Sequence, residues 1–393
     1  MPELFPPDRR NNIRSQSLDL LRFPLAVVVA SIHVIASRSY PLESTHMVHV
    51  EKMEGADWFF AFFDAFLRGQ SVPIYYFIAG YVFFLGIELT MDTYAHKLRN
   101  RTHSLLYPYL SWNALAILVT FSLYLPEMQP LFHPDRMFRL DFSAKGLLEC
   151  FWNSWYGIFS RIQEFPAGGG TYPQDYPLWF VRDLMIIVLG APVIAIMLKT
   201  TRSYAVILLG LAWLALSPVK TGHPGQILTG VFFFSWGAYM SYNHKDMMVL
   251  FRRWSNTAIA TYLVLGLLHI GASFKWPEAC SVIKSLNAIA GMVMAYGIAA
   301  RLIESKKVKV SRFLSAAAFF VYAGHGIFVA YFNMLFFRLF SPMHIWSVAL
   351  CYLLTLICTV GMLLMIFRVL GIVCRPVQKI FGGRAWPASP KTN

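Results

Sequence analysis

An all-α integral membrane protein with about ten transmembrane helices is the fold class the sequence predicts, on three observations. Of the 393 residues, 57% are hydrophobic and only 14% charged, with 33 Phe, 19 Tyr and 11 Trp. That lies outside the range of a soluble globular domain. Apolar stretches of about 20 residues, long enough to cross a bilayer core, recur along the chain. Successive connections alternate between rich and poor in Lys and Arg, the pattern of the positive-inside rule.

Spans are expected near residues 18–37, 71–89, 104–125, 178–198, 203–218, 226–242, 256–272, 282–302, 313–338 and 345–370. An even number places both termini on one side. With that side cytoplasmic, twenty of the 34 basic residues fall in inner segments, ten in outer segments and four inside spans. The asymmetry supports cytoplasmic N- and C-termini. Residues 1–17 then form an N-terminal tail, 18–370 a single membrane domain and 371–393 a C-terminal tail. The polar start runs into a full-length apolar segment without a small-residue cleavage site, so the first span is read as retained.

The net charge of +14 could suggest nucleic acid. No basic arm or zinc spacing accompanies it, and cytoplasmic loops and contacts with anionic membrane lipids account for such an excess. The five cysteines show no metal-ligand spacing, so no metal is expected. Cys351, Cys358 and Cys374 fall in or beside apolar spans, whereas Cys150 and Cys280 fall in outer segments and could pair. The outer segments at about 38–70 and 126–177 are long. The second contains "ECFWNSWYGIF", apolar but too short to cross, which suits a helix on the surface or re-entering the outer leaflet. The turn-rich "PAGGGTYPQDYP" follows it.

Ionisable residues inside spans are costly and call for a reason. In the first span, "LDLLRFPLAVVVASIHV" carries Arg22 and His33. Eleven steps of about 100° return His33 to within about 20° of Arg22, roughly 16 Å further along the same helix face. Both would look into one groove between helices. The simpler alternatives are that Arg22 snorkels or pairs with Asp19 at i,i+3, and that His33 hydrogen-bonds a neighbouring helix. Glu88, His103, Arg338 and Arg368 lie near span ends and suit headgroup contacts.

Six fragments in order resemble the membrane-embedded acyltransferase family 3. "LDLLRFPLAVVVASIH" (18–33) is similar to the Arg-x10-His signature of its first helix, and "VPIYYFIAGYVFF" (72–84) to its second span, with Ala79 where Ser is commoner. "KLRNRTHSLLYPYLSW" (97–112) resembles the basic approach to a Pro-Tyr, "YPLWFVRDL" (176–184) a later span start, "FVYAGHGIF" (320–328) a late span with a histidine, and "FGGR" (381–384) a common tail. One departure stands out. The family often has two arginines three apart before the Pro-Tyr, and here Arg101 is followed by Ser104, leaving Lys97 or Arg99 to supply the second charge.

The resemblance implies an enzyme that takes an acyl group from cytoplasmic acyl-CoA (acetyl-CoA or succinyl-CoA) to a hydroxyl of a cell-surface or periplasmic saccharide, in the bacterial inner membrane. Arg22, Lys97, Arg99 and Arg101 would then hold the phosphates of CoA, since the guanidinium fork suits phosphate oxygens. His33 would act as general base on the acceptor hydroxyl, or as a transient acyl carrier. His325 is a second candidate at similar depth, its alternative being a satisfied interhelical histidine. Trp179, Arg182 and Asp183 could form the saccharide entrance, or Trp179 could be an ordinary interface anchor. The family's appended SGNH-type domain is not expected, and a homo-oligomer is left open. A competing class is a secondary transporter or exporter with an intramembrane Arg/His relay. Pro24 is expected to break the first span without a counterpart in the other half, so the paired broken helices of many transporters are not evident.

Overall fold

The computed structural model describes residues 7–36, 39–41, 47–86, 90–122, 125, 138–154, 159–161, 171–218, 222–383 and 386. Among the described residues the fold is all-α apart from two short antiparallel ribbons, Ser39–Pro41 with Met47–His49 and Phe138–Leu140 with Phe159–Arg161. The helices are α1 (Pro7–Ala36), α2 (Ala56–Phe66), α3 (Ser71–Phe84), α4 (Met91–Arg101), α5 (Tyr107–Ser122), α6 (Ala144–Cys150), α7 (Trp179–Leu189) and α8 (Ala191–Thr201). They continue as α9 (Ser203–Ala215), α10 (Gly222–Tyr242), α11 (Met247–Ser273), α12 (Pro277–Glu304), α13 (Arg312–Phe340), α14 (Ile345–Val373) and α15 (Arg375–Gly382).

Nine of the ten expected spans each fall on one helical run and the span 178–198 falls on two helices, α7 and α8, but not every helix is long enough to cross a bilayer alone. Among the described residues, six continuous helical stretches are long and apolar enough. These are α1, the run from α4 through α5, α11, α12, α13 and α14. The α7–α8 pair would make a seventh but is bent by 59°. Gly190 and Pro192 explain the bend, because proline removes a helical N–H and clashes with the preceding turn. Pro24, expected to break the first span, instead lies inside a continuous α1. In apolar surroundings neighbouring groups can take up the freed carbonyl, which makes such prolines tolerable. The expected span 71–89 is shorter than its apolar run, since α3 stops at Phe84. Residues 91–122 form one helical run through a π turn at Thr102–Leu106.

Two contacts between distant helices set the frame. At the α3–α10 seam, a Cβ added to Gly80 would sit 2.0 Å from the Phe234 carbonyl oxygen, and one added to Gly237 would sit 2.1 Å from that of Phe77. Only residues without a side chain allow backbones so close, the small-residue packing typical of helices in membranes. The second contact joins α1 to α13. The Ser315 hydroxyl donates to Asp19 at 3.3 Å, and further along Asn333 Nδ2 donates to the Val34 carbonyl at 3.1 Å. The two helices therefore run parallel. A main core of buried aromatics, including Trp112, Tyr76, Phe77, Phe234 and Tyr296, fills the bundle. A smaller cluster around Val34, Val329 and Tyr352 packs at the C-terminal end of α1.

The expected surface helix in the second outer segment is only partly present. α6 covers Ala144–Cys150, capped by Ser143 accepting from the Gly146 N–H at 3.0 Å, and the chain then turns. Residues 155–158 of "ECFWNSWYGIF" lie outside the described residues. Cys150 and Cys280 are not joined in a disulfide.

Candidate active site

The parallel packing of α1 on α13 sets Arg22 and His33 beside the helix that carries Tyr322 and His325. Near the N-terminal end of the pair, Arg22 forms an ion pair with Asp19 one turn earlier, at 2.8 Å. The simpler alternative is thus present, yet it does not remove Arg22 from the groove. Arg22 also lines a cavity of about 250 Å3 between α1, α3, α7 and α13. Arg101 and Ser104 form part of the same wall, and Gly382 and Gly383 of the "FGGR" tail close it. The tail is held there by the Trp112 indole donating to the Phe381 carbonyl at 2.8 Å. Apart from Ser315 and the tyrosines Tyr75 and Tyr322, the remaining lining is apolar, from Ile78, Ala79, Val82 and Leu184 among others. Two cations on the wall of a largely apolar cavity suit a ligand with an anionic head and an apolar tail.

Aromatic rings continue from this cavity toward the other end of α1. Tyr75, whose hydroxyl donates to the Arg22 carbonyl at 3.1 Å, and Tyr322 both line the cavity. Their ring centroids are 6.1 Å apart. Tyr322 is tethered by its hydroxyl to the Pro177 carbonyl, and its ring lies 6.1 Å from that of His325, three residues along α13. His325 in turn stacks on His33, with centroids 5.1 Å apart and planes within 25°. The edge of Tyr176 packs against His33 at 4.7 Å. The His325 side chain is fully buried, and neither ring nitrogen has a hydrogen-bond partner of normal length; its nearest acceptors are carbonyls of its own helix, at Val321 and Tyr322.

Beside Tyr176, Asp175 is buried and neither carboxylate oxygen has a partner, while its backbone N–H donates to Asn113 Oδ1 at 3.0 Å. Burial pushes the Asp175 carboxyl well above its ordinary pKa. Its Oδ1 lies against Gly326, where a Cβ would approach to 2.8 Å. That glycine therefore lets the 171–178 segment sit beside the turn that carries His325.

The acyltransferase domain model of family 3 matches residues 15–364. The chain belongs to this acyltransferase family. It is 25% identical over 276 residues to the succinoglycan biosynthesis protein ExoH of Rhizobium meliloti (strain 1021), covering 68% of each chain. No solved structure matches the chain. As a family member with several helices able to cross a bilayer, it is a multi-pass membrane acyltransferase.

Within this acyltransferase fold, the expected site residues separate into three groups. Arg22 and Arg101 share the cavity, and His33 and His325 meet beyond it. Lys97 and Arg99 do not join them. The Lys97 ammonium donates to the Phe83 carbonyl at the end of α3 and lies 5.3 Å from the Phe83 ring centroid, while Arg99 is exposed. Helical register explains Arg99, because residues two apart point about 200° apart around the axis, whereas Lys97, one turn before Arg101, is taken up by the Phe83 carbonyl. Arg99 and Arg101 cannot both face one groove. The position where the family often has a second arginine is Ser104, on the cavity wall beside Arg101.

The third group is Trp179, Arg182 and Asp183. Arg182 and Asp183 are buried and paired at 2.8 Å, and Arg182 also donates to the Trp152 carbonyl at 2.6 Å. Its guanidinium lies 4.8 Å from the Trp152 ring centroid. The pair clamps α7 to the segment after α6, and Trp179 is half-buried against the core. Sequence reasoning missed Tyr75, Tyr176 and Tyr322, and it missed Asp64 and Arg68 near the far end of α1. Tyr322 had a legible signal, since it precedes His325 by three residues on one helix face.

Proposed function

We propose that this acyltransferase takes an acetyl or succinyl group from cytoplasmic acyl-CoA and places it on a hydroxyl of an envelope saccharide at the outer face of a bacterial inner membrane. One observation carries the reading: the cavity lined by Arg22 and Arg101 also has Tyr75 and Tyr322 in its wall, and the Tyr322 ring neighbours His325, which stacks on His33. The role of the relative ExoH in succinoglycan biosynthesis supports a saccharide acceptor.

CoA carries a 3′-phosphate and a diphosphate on one end and a slim pantetheine arm on the other. Arg22 and Arg101 would take the phosphate oxygens as charge-assisted acceptors. The arm would follow the apolar slot, and the helical rise from Arg22 to His33, roughly 16 Å, brings the thioester to the imidazoles. An alcohol attacks a thioester poorly at neutral pH, so a base must remove its proton as the C–O bond forms. His33 takes that proton. The C–S bond then breaks, and the proton passes to the departing thiolate to give free CoA. His325 stacks on the imidazole and fixes its plane.

The test is thioester cleavage of acetyl-CoA and succinyl-CoA by protein in nanodiscs, with cell-envelope glycan as acceptor. His33→Ala should abolish turnover while leaving donor binding measurable, and Arg22→Ala should raise the donor concentration required. Cleavage that survives His33→Ala removes that residue from the chemistry. Well-folded wild type that neither binds nor cleaves either thioester removes the acyl-CoA reading as a whole.

A further inference from the structure

A second cavity, of about 200 Å3, lies at the opposite end of α1 from the donor slot, between α1 and α2. One wall is Ile32, Ile35 and Ala36, the residues flanking His33 on α1. The facing wall is α2 and the turn after it, with Phe60, Phe63, Asp64 and Arg68. Phe60 and Phe63 offer ring surfaces against which the C–H face of a sugar packs, in a space sized for about one sugar ring. Asp64 and Arg68 are one helical turn apart and are the charged members of the lining.

The charge balance of this wall decides what it would bind. Asp64 is already engaged from behind: Lys284 of α12 reaches its Oδ1 at 2.6 Å, and His269 of α11 its Oδ2 at 3.0 Å. Burial alone would raise the Asp64 pKa. The His269 hydrogen bond and the Lys284 and Arg68 charges outweigh it and hold the carboxyl well below the usual carboxylate range. The carboxylate is therefore ionised, and it is shared. Arg68 touches it only at 3.7 Å and is 57% exposed. Arg68 and Lys284 thus face one carboxylate, leaving a surplus positive charge on the exposed Arg68 side. The other acidic residue of α2, Asp57, lies in its first turn, at the far end of the helix. Arg68 is also within electrostatic reach of His33 and of Tyr172.

We infer that the α1–α2 cavity is an acceptor subsite selective for an anionic group, in which Arg68 pairs with an acidic substituent carried by the saccharide or by its lipid anchor. The inference rests on the acyltransferase reading for the direction of transfer, with this cavity on the acceptor side. Its recognition chemistry is independent of the donor. A guanidinium with unfilled donors accepts a carboxylate or a diphosphate with equal ease.

Binding to the purified protein in neutral-lipid nanodiscs, measured without any acyl-CoA, separates the two ideas. The probes are cellobiose, cellobiouronic acid and farnesyl diphosphate. Wild type is expected to bind an acidic probe about tenfold more tightly than cellobiose, a preference that shrinks as salt rises. Arg68→Gln should erase the preference, Arg68→Lys should keep most of it, and Arg68→Glu should reverse it. A preference for cellobiouronic acid assigns the anion to the sugar; one for farnesyl diphosphate assigns it to the lipid anchor. Equal affinity for neutral and acidic probes in wild type overturns the inference. So does an Arg68→Gln variant that weakens cellobiose as much as the acidic probes. Failure of thioester cleavage would leave these binding results standing, and acyl transfer without acid preference would overturn only this subsite.

Discussion

Replacing Gly80 by alanine puts a methyl group where the α3–α10 seam has no room. The new Cβ would lie 2.0 Å from the Phe234 carbonyl oxygen and 2.8 Å from its carbonyl carbon, where ordinary contact begins at 3.4 Å. The obstacle is helix backbone, so no side chain can rotate away. The two helices must separate locally by about 1.4 Å, the difference between those distances. Overpacking of this kind costs typically ~1–3 kcal/mol, and the rigid neighbour puts Gly80→Ala at the upper end. A gap that size also forfeits dispersion contacts on both sides of the seam. Large domains lose about 2–4 °C in Tm per kcal/mol, so a drop of several degrees is expected on heating the protein in nanodiscs. Gly361→Ala is the control. A Cβ there meets nothing within 4 Å, and alanine is the better helix former. That variant should be neutral or slightly stabilised. Because Ile78, Ala79 and Val82 of α3 line the cavity of Arg22 and Arg101, Gly80→Ala should also weaken acyl-CoA binding on the proposed reading. A Gly80→Ala protein that melts with wild type, beside an equally unaffected control, would refute the close approach of these helices.

Register makes a second prediction: Arg101→Gln should raise the acyl-CoA requirement by about tenfold, the order of one charge-assisted contact, whereas Arg99→Gln should stay within about twofold. Titration of donor against turnover checks both, and equal effects would contradict the cavity assignment. A third prediction concerns pH and stability. The folded-state pKa of Asp175 is raised, so the native state holds a proton that the unfolded chain has released. Stability should fall as pH rises above about 4, the unperturbed value, and Asp175→Asn should remove that slope in thermal melts. Asp64 acts in the opposite sense, because its folded pKa is depressed. Its contribution is full above about 4 and disappears on acidification below it, so Asp64→Asn should flatten the acid limb of the same melts.

Much of the fold was legible because bilayer crossing is a one-dimensional constraint. A run of about 20 apolar residues reports itself. Where helices stop short or bend, as at Phe84 and at the 59° break after Leu189, the cause is packing and local backbone chemistry that a hydropathy pattern cannot register. The site was legible to the extent that it lies on one helix: Arg22 and His33 share a face of α1 by arithmetic alone. Arg99 could have been separated from Arg101 by the same arithmetic. The His33–His325 stack and the Asp64–His269–Lys284 cluster could not be read, since each joins residues more than 200 positions apart. Arg182 and Asp183 show the reverse difficulty. Their residue types suggest a ligand-facing pair, and only the buried placement against Trp152 reveals a clamp.

The cavity of Arg22 and Arg101 draws Arg22 from the first helix and Gly383 from near the far end of the described chain, with Arg101 between them in sequence. A chain inserted into the membrane from its N-terminus would therefore carry the arginine and histidine of α1 for nearly the whole of translation before the slot around them exists. Until α13 lies beside α1 and the tail docks against Trp112, Arg22 and Arg101 share no cavity and His33 has no second imidazole beside it. Synthesis order thus acts as a safety catch: a nascent or prematurely terminated product carries these side chains without the slot that brings them together.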